Sequence, residues 1–240
     1  MSKKQNILSI DSGSKTLNIS LLKDGVSSKD ITSIFSKDSF SNNEELAKLL
    51  SKLLKENLLE IKDIDTIIIN RGPGSFTGLR IGYAFLEGIL SSIDVNVSQI
   101  VLLEAVRHIY SDIIKECDVV CQHIRKENFF AYLIKDNKLE YVDSDFLISY
   151  ITKYSSKVYV INDIEEDIEE DGKEDGKKTF NSENLSFIHL NFIQLNFISS
   201  KILIEYYTKF NIPNIKNMSE LKPNYVQKIS AKTISERNAK

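Results

Sequence analysis

The stretch of this chain richest in residues that could cradle a phosphate or force a tight turn is Asn70–Gly82, Asn-Arg-Gly-Pro-Gly-Ser-Phe-Thr-Gly-Leu-Arg-Ile-Gly. It holds four of the chain's nine glycines and one of its three prolines. A phosphate loop would set helix N-terminal N–H groups at a strand-to-helix turn. The letters fit poorly: Gly78 is followed by Leu79 and Arg80 rather than Lys-Ser/Thr, and Gly72, Gly74 and Gly78 miss the dinucleotide spacing by one residue. A structural turn explains Gly72-Pro73-Gly74, with Ser75 as a helix N-cap. It leaves Gly78, Gly82 and Gly88 inside a helix, each costing up to ~1 kcal/mol relative to alanine. Close approach of another helix explains Gly78 and Gly82, which share one face and lack the Cβ that would hold a neighbour away. The stretch therefore predicts a tight turn followed by a closely packed helix.

Cys117, Cys121 and His123 are the other residues with ligand chemistry. A closed zinc site needs four ligands, and the remaining histidines are His108 and His189. Alternation of Cys117, Val119, Cys121 and His123 reads instead as one face of a strand, with cysteine as a small hydrophobe. No Ser-His-Asp, Cys-His or paired-carboxylate arrangement stands out, so the residues alone reveal no reaction.

The elements that must position these residues follow the apolar pattern. Residues 6–11 and 17–25 read as a β-hairpin, and 31–35 as a third strand. Residues 41–62 read as a helix capped by Ser41 or Asn42. Its leucines and Ile61 fill an arc of about 180°, wider than one sheet requires, which suggests a second packing partner. Strand 65–70 leads into the glycine stretch, helix 77–92, strand 95–101 and helix 102–116. Residues 117–124 and 128–142 read as strands, the latter with a turn at Asp136-Asn137, and 198–210 as a late helix. Alternating strands and helices make this an α/β chain. The pattern changes near residue 115, which suggests a second lobe.

With 240 residues, 42% hydrophobic, 27% charged and a net charge of −3, the chain is an ordinary globular protein with no global attraction to nucleic acid or membrane. No apolar run reaches membrane-spanning length and no signal peptide is evident, so the cytoplasm is expected. Residues 163–178 form an acidic low-complexity insertion of nine acidic and three basic residues, and residues 216–240 a tail with six basic and two acidic.

The pairing of Ile-Leu-Ser-Ile-Asp-Ser-Gly-Ser-Lys-Thr (7–16) with Arg-Gly-Pro-Gly-Ser-Phe-Thr-Gly-Leu-Arg-Ile-Gly (71–82) resembles the TsaB family, also called YeaZ. The likeness is strongest over residues 7–106 and returns at Leu-Lys-Pro-Asn-Tyr-Val-Gln-Lys, where Gln227 replaces the family's arginine. It implies a two-lobed actin-like (ASKHA, RNase H-like) α/β fold. The first lobe would cover 1–105, with 211–240 packed on it, and the second 106–210. It implies a non-catalytic subunit that holds and activates TsaD, the protein that transfers threonylcarbamoyl to tRNA adenosine, with a TsaE-like ATPase joining them. The tRNA would be met indirectly, and self-association of the free chain is left open.

The implied contact residues are Leu46, Leu49, Leu50, Leu53, Phe76, Gly78, Leu79, Gly82 and Leu86. Leucine at Gly78 or Gly82 would then break the complex and spare the fold. Asp11, Ser12, Gly13 and Ser14 match the superfamily's phosphate hairpin. The resemblance implies that this hairpin is vestigial, with no cofactor and at most weak ATP or ADP binding. TsaD's His-x-x-x-His metal motif has no counterpart, since no histidine precedes His108. The alternative reading is a small-molecule ATPase or kinase of the same superfamily using Asp11. The older metallopeptidase label fits least.

Overall fold

A strand with apolar residues on both faces needs cover on both sides. Ile7–Asp11 (β1) and Asn18–Leu22 (β2) are buried along their whole length, and Thr66–Gly72 (β4) nearly so. With Ile31–Phe35 (β3) and Asn96–Val101 (β5) they form a sheet in the order β3-β2-β1-β4-β5. Here β1, β2 and β3 are antiparallel neighbours, and β4 and β5 run parallel to β1. A second sheet repeats this plan with Val119–Arg125 (β6), Asn128–Leu133 (β7), Lys138–Asp143 (β8), Val158–Asp163 (β9) and Phe192–Phe197 (β10). Its order is β10-β9-β6-β7-β8, again an antiparallel meander followed by parallel strands. The duplicated plan is the two-lobed actin-like α/β fold. The computed structural model describes residues 5–24, 31–36, 43–125, 127–163 and 192–226.

Five helices fill the layers: Asn43–Glu56 (α1), Phe76–Leu90 (α2), Leu102–Ile109 (α3), Ser144–Tyr154 (α4) and Ser199–Phe210 (α5) among the described residues. Alternation along β1 and β4 sends Leu8, Ile10, Ile67 and Ile69 to one face, against Leu46 and Leu53 of α1 and Tyr83 and Leu86 of α2. Ile7 and Ile68 face the other way. They join Leu102 and Leu103 of α3, Ile202 and Leu203 of α5, and Val120, Phe130 and Tyr132 of the second sheet. Helix α4 covers the far face of the second sheet through Leu147, Tyr150 and Ile151, packed with Val119, Cys121 and Phe129. The α3/α5 layer is shared by the two sheets, and a division at 105/106 falls inside α3.

A buried polar seam fastens α5 to the first sheet. The Asn18 side-chain oxygen accepts from Ser199 Oγ at 3.0 Å and from Ser200 N at 2.8 Å. Ser9 Oγ donates to the Ser200 carbonyl at 2.5 Å, and Ser20 Oγ lies 2.7 Å from Ser200 Oγ. Ile198 at the α5 N-cap has no side-chain acceptor of its own, so Asn18 supplies one from a neighbouring strand.

Several elements differ from expectation: strands β9 and β10 were not anticipated, and α1 ends at Glu56, short of the expected Lys62. Helix α3 ends at Ile109, short of the anticipated Glu116. Asp118 turns the chain there, its carboxylate accepting from Lys115 N and Lys157 N at 2.8 Å each. Helix α4 was not expected; Asp143 caps it by accepting from Phe146 N at 2.9 Å. The cap at Ser41 or Asn42, His189, Gln227, the insertion beyond Asp163 and the tail beyond Val226 lie outside the described residues.

The seam makes a prediction. Asn18→Ala leaves two buried donors without their acceptor and should lower stability by about 2–6 kcal/mol. Urea unfolding measures it; an unchanged midpoint would contradict the seam's role.

Candidate functional site

The site is built from the β1–β2 turn and the turn between β4 and α2. Asp11, at the end of β1, is fully buried. Its Oδ1 accepts from Gly13 N at 2.9 Å, Ser14 N at 3.3 Å and Asn70 Nδ2 at 2.7 Å. Its Oδ2 accepts from Ser14 Oγ at 2.5 Å. The carboxylate therefore organises its own hairpin. Asn70, at the end of β4, joins the two turns: its amide nitrogen binds Asp11, and its oxygen accepts from Gly72 N at 2.8 Å. Ser75 N donates to the Gly13 carbonyl at 2.7 Å, and Ser75 Oγ caps α2 by accepting from Gly78 N.

The glycines make this approach sterically feasible. A Cβ at Gly74 would lie 2.4 Å from the Gly13 carbonyl oxygen, and one at Gly78 1.9 Å from the Ser12 carbonyl oxygen. A Cβ at Gly82 would lie 2.1 Å from Ser12 Oγ. Leu79 closes the contact from the side, its Cδ2 lying 2.7 Å from where a Gly13 Cβ would be. The smooth face of α2 is thus seated on the Asp11–Ser14 hairpin of the same chain.

A C-terminal strap covers the other side of the turn. Asn224 N donates to the Arg71 carbonyl at 2.7 Å. Gly72 has φ +113°, and a Cβ there would meet the Asn224 carbonyl oxygen at 2.8 Å. Gln99 on β5 holds the strap, accepting from Lys222 N at 3.0 Å and Tyr83 OH at 2.8 Å while donating to the Glu220 carbonyl at 2.8 Å. Burial pushes the Tyr83 hydroxyl well above its usual range, so it remains a donor. The ring of Tyr225 lies 4.7 Å from that of Phe76.

The structure brings Asp11, Ser12, Gly13, Ser14, Gly78, Leu79 and Gly82 into one internal contact. This corrects the expectation that Gly78 and Gly82 present an open face to a partner. Leu46, Leu49, Leu53 and Leu86 are likewise buried in the first-sheet core rather than turned outward, and Leu50 is buried there too while touching the outer groove. The wide leucine arc of α1 has its second partner in α2 of the same chain. Of the anticipated contact residues, Phe76 is exposed, at 38%.

The outer surface of α1 and α2 carries a different set. Ala84 and Gly88 face outward one turn apart, and a Cβ at Gly88 would meet nothing within 4 Å. With Leu50, Ile61, Phe85, Ile89 and Ile93 they line an open groove of about 560 Å³. Sequence reasoning noted Gly88 as a helix glycine without placing it. It missed Asn70, Gln99 and the strap, whose roles depend on neighbours distant along the chain.

Comparison with known proteins agrees with this architecture. The family model of TsaD, tRNA N6-adenosine threonylcarbamoyltransferase, matches residues 39–124. Curated relatives named tRNA threonylcarbamoyladenosine biosynthesis protein TsaB match in part. The Bacillus subtilis protein is 29% identical over 41% of this chain and 42% of its own length. The Haemophilus influenzae protein is 25% identical over 58% and 57%, so the aligned stretches span about half of these relatives. A Pseudomonas aeruginosa crystal structure described as similar to peptidase YEAZ superposes with a TM-score of 0.63 at 13% identity, covering 93% of this chain and 100% of that one. YeaZ from the same organism gives 0.57 at 13% identity, covering 92% and 99%. The fold is that of YeaZ-like proteins. The chain is similar to TsaB proteins over part of its length and to YeaZ in its fold.

The internal role of the glycines reverses the expected mutant behaviour. Gly78→Ala and Gly82→Ala should each destabilise the isolated chain by about 1–3 kcal/mol through overpacking. Gly88→Ala should stabilise it by up to ~1 kcal/mol through helix propensity. Thermal unfolding of the three variants checks this; a Gly78→Ala protein as stable as the parent would contradict the contact.

Proposed function

We propose that this chain is a non-catalytic subunit that binds and activates a TsaD-like protein in N6-threonylcarbamoyladenosine formation on tRNA. It would act in the cytoplasm, with a TsaE-like ATPase completing the assembly. The groove on the outer face of α1 and α2 carries the reading. Its small residues, Ala84 and Gly88, leave room for a close helix, and apolar Phe85, Ile89 and Ile93 lie at its edge. The curated relatives are named for threonylcarbamoyladenosine biosynthesis, which supports this reading.

The Asp11 hairpin supports a subunit without its own chemistry. An ATPase or kinase would need that carboxylate to face a metal, whereas here it accepts four hydrogen bonds from Gly13, Ser14 and Asn70. Ser12 and Gly13 lie against the glycine face of α2.

Gly88→Arg fills the groove with a charged side chain on an exposed helix position. Co-expressed with the TsaD-like protein of the same source, this variant should lose at least about tenfold in complex affinity, at ~1.4 kcal/mol per factor of ten. Its own thermal midpoint should stay within the parent's range. Undiminished co-purification would overturn the assignment of the groove.

A further inference from the structure

We infer that the exposed corner where the N-terminal end of α2 meets the C-terminal strap contacts a single-stranded stretch of RNA. Two aromatic rings stand there side by side. Phe76 is 38% exposed and Tyr225 42% exposed, with centroids 4.7 Å apart and planes tilted by 48°. Exposed faces of this kind are platforms on which unstacked bases settle. The Arg80 guanidinium carbon lies 5.2 Å from the Phe76 ring centroid and is itself exposed, which adds a cation beside the platform.

The charge around the corner suits a polyanion. Lys222 on the strap is exposed, as is Arg80 on α2. Glu220 is the acidic residue of the strap. The sequence from 216 to 240 carries six lysines and arginines against two glutamates, in a chain whose net charge is −3. The two elements that bear the rings thus each carry an exposed cation, Arg80 on α2 and Lys222 on the strap. An acidic peptide would use the cations but has no need of paired aromatic faces. A duplex would offer phosphates but no open base faces.

The corner is separate from the Gly88 groove, about 18 Å along the α2 axis from Phe76 at ~1.5 Å per residue. Both surfaces can therefore be occupied at once. The inference deepens the tRNA reading by giving this subunit a direct RNA contact, and it rests on that reading only for which RNA is met.

The test uses the full-length chain and a fluorescein-labelled single-stranded 12-nucleotide RNA of mixed sequence, followed by fluorescence anisotropy. Binding should weaken steeply between 50 and 200 mM salt, in the manner of phosphate contacts. Phe76→Ala and Tyr225→Ala should each weaken it by about fivefold to a hundredfold, the range for loss of one stacked base. Arg80→Glu should weaken it and flatten the salt dependence. If Tyr225→Ala loosens the strap, Phe76→Leu, which keeps apolar bulk without a ring, and Arg80→Glu carry the test. Absence of binding by the parent, equal binding by Phe76→Leu and Arg80→Glu, or equal competition by polyglutamate or duplex RNA would each overturn the inference. Co-purification of Arg80→Glu with the TsaD-like protein, measured in parallel, separates this outcome from failure of the subunit reading.

Discussion

Ser12 meets α2 twice, with its carbonyl oxygen at Gly78 and its hydroxyl at Gly82, and a Cβ at either position would overlap it. Most of the site follows from that contact. It draws the first turn of α2 over the Asp11 hairpin and brings Ser75 N within 2.7 Å of the Gly13 carbonyl. It also places Asn70 where one amide can bind both the Asp11 carboxylate and Gly72 N. The glycines give up helix propensity, and what they gain is contact between helix and hairpin at backbone distance. In the related ATPases the resemblance gives this hairpin a phosphate-facing role. Here the hairpin is an anchor for a helix.

Because the inner face of α2 is committed, its outward residues are what remain for other molecules. Burial of Leu46, Leu53, Leu79 and Leu86 stabilises the first sheet from one side. The α3/α5 layer and the Asn18–Ser200 seam stabilise it from the other. The strap along β5, pinned by Gln99 and Asn224, completes the lobe and carries Tyr225 to Phe76. The same packing that closes the hairpin therefore exposes two surfaces, the groove at Gly88 and the aromatic corner at Phe76.

Much of this was legible in the sequence. Continuous β-branched and apolar runs mark β1, β2 and β4, and the turn-plus-cap pattern of Gly72–Ser75 identifies Ser75 as the N-cap of α2. The glycine spacing correctly reports that something approaches α2 closely. It cannot report what, because a smooth helix face looks the same whether its neighbour is another protein or a hairpin sixty-odd residues earlier in the chain. The leucine arc of α1 misled in the same way, since its second partner is α2. Helix α4 escaped notice because Ser-Asp-Phe-Leu-Ile-Ser-Tyr-Ile-Thr-Lys-Tyr is rich in aromatic and β-branched residues that favour strands locally. Its helix rests on the Asp143 cap and on burial of Leu147, Tyr150 and Ile151, which are tertiary effects. Gln99 and Asn224 are ordinary polar residues whose importance arises from partners far along the chain.

The central claim is that the glycine motif closes the Asp11 hairpin from within and leaves the outer face of α2 for a partner. Amide hydrogen exchange tests it most directly, on the chain alone, with Mg-ATP, and with the TsaD-like protein. The account predicts strong protection at residues 13–14 and 75–79 in the free chain, no change on adding Mg-ATP, and new protection at 84–93 in the complex. Rapid exchange at the hairpin in the free chain, slowed by Mg-ATP, would contradict it.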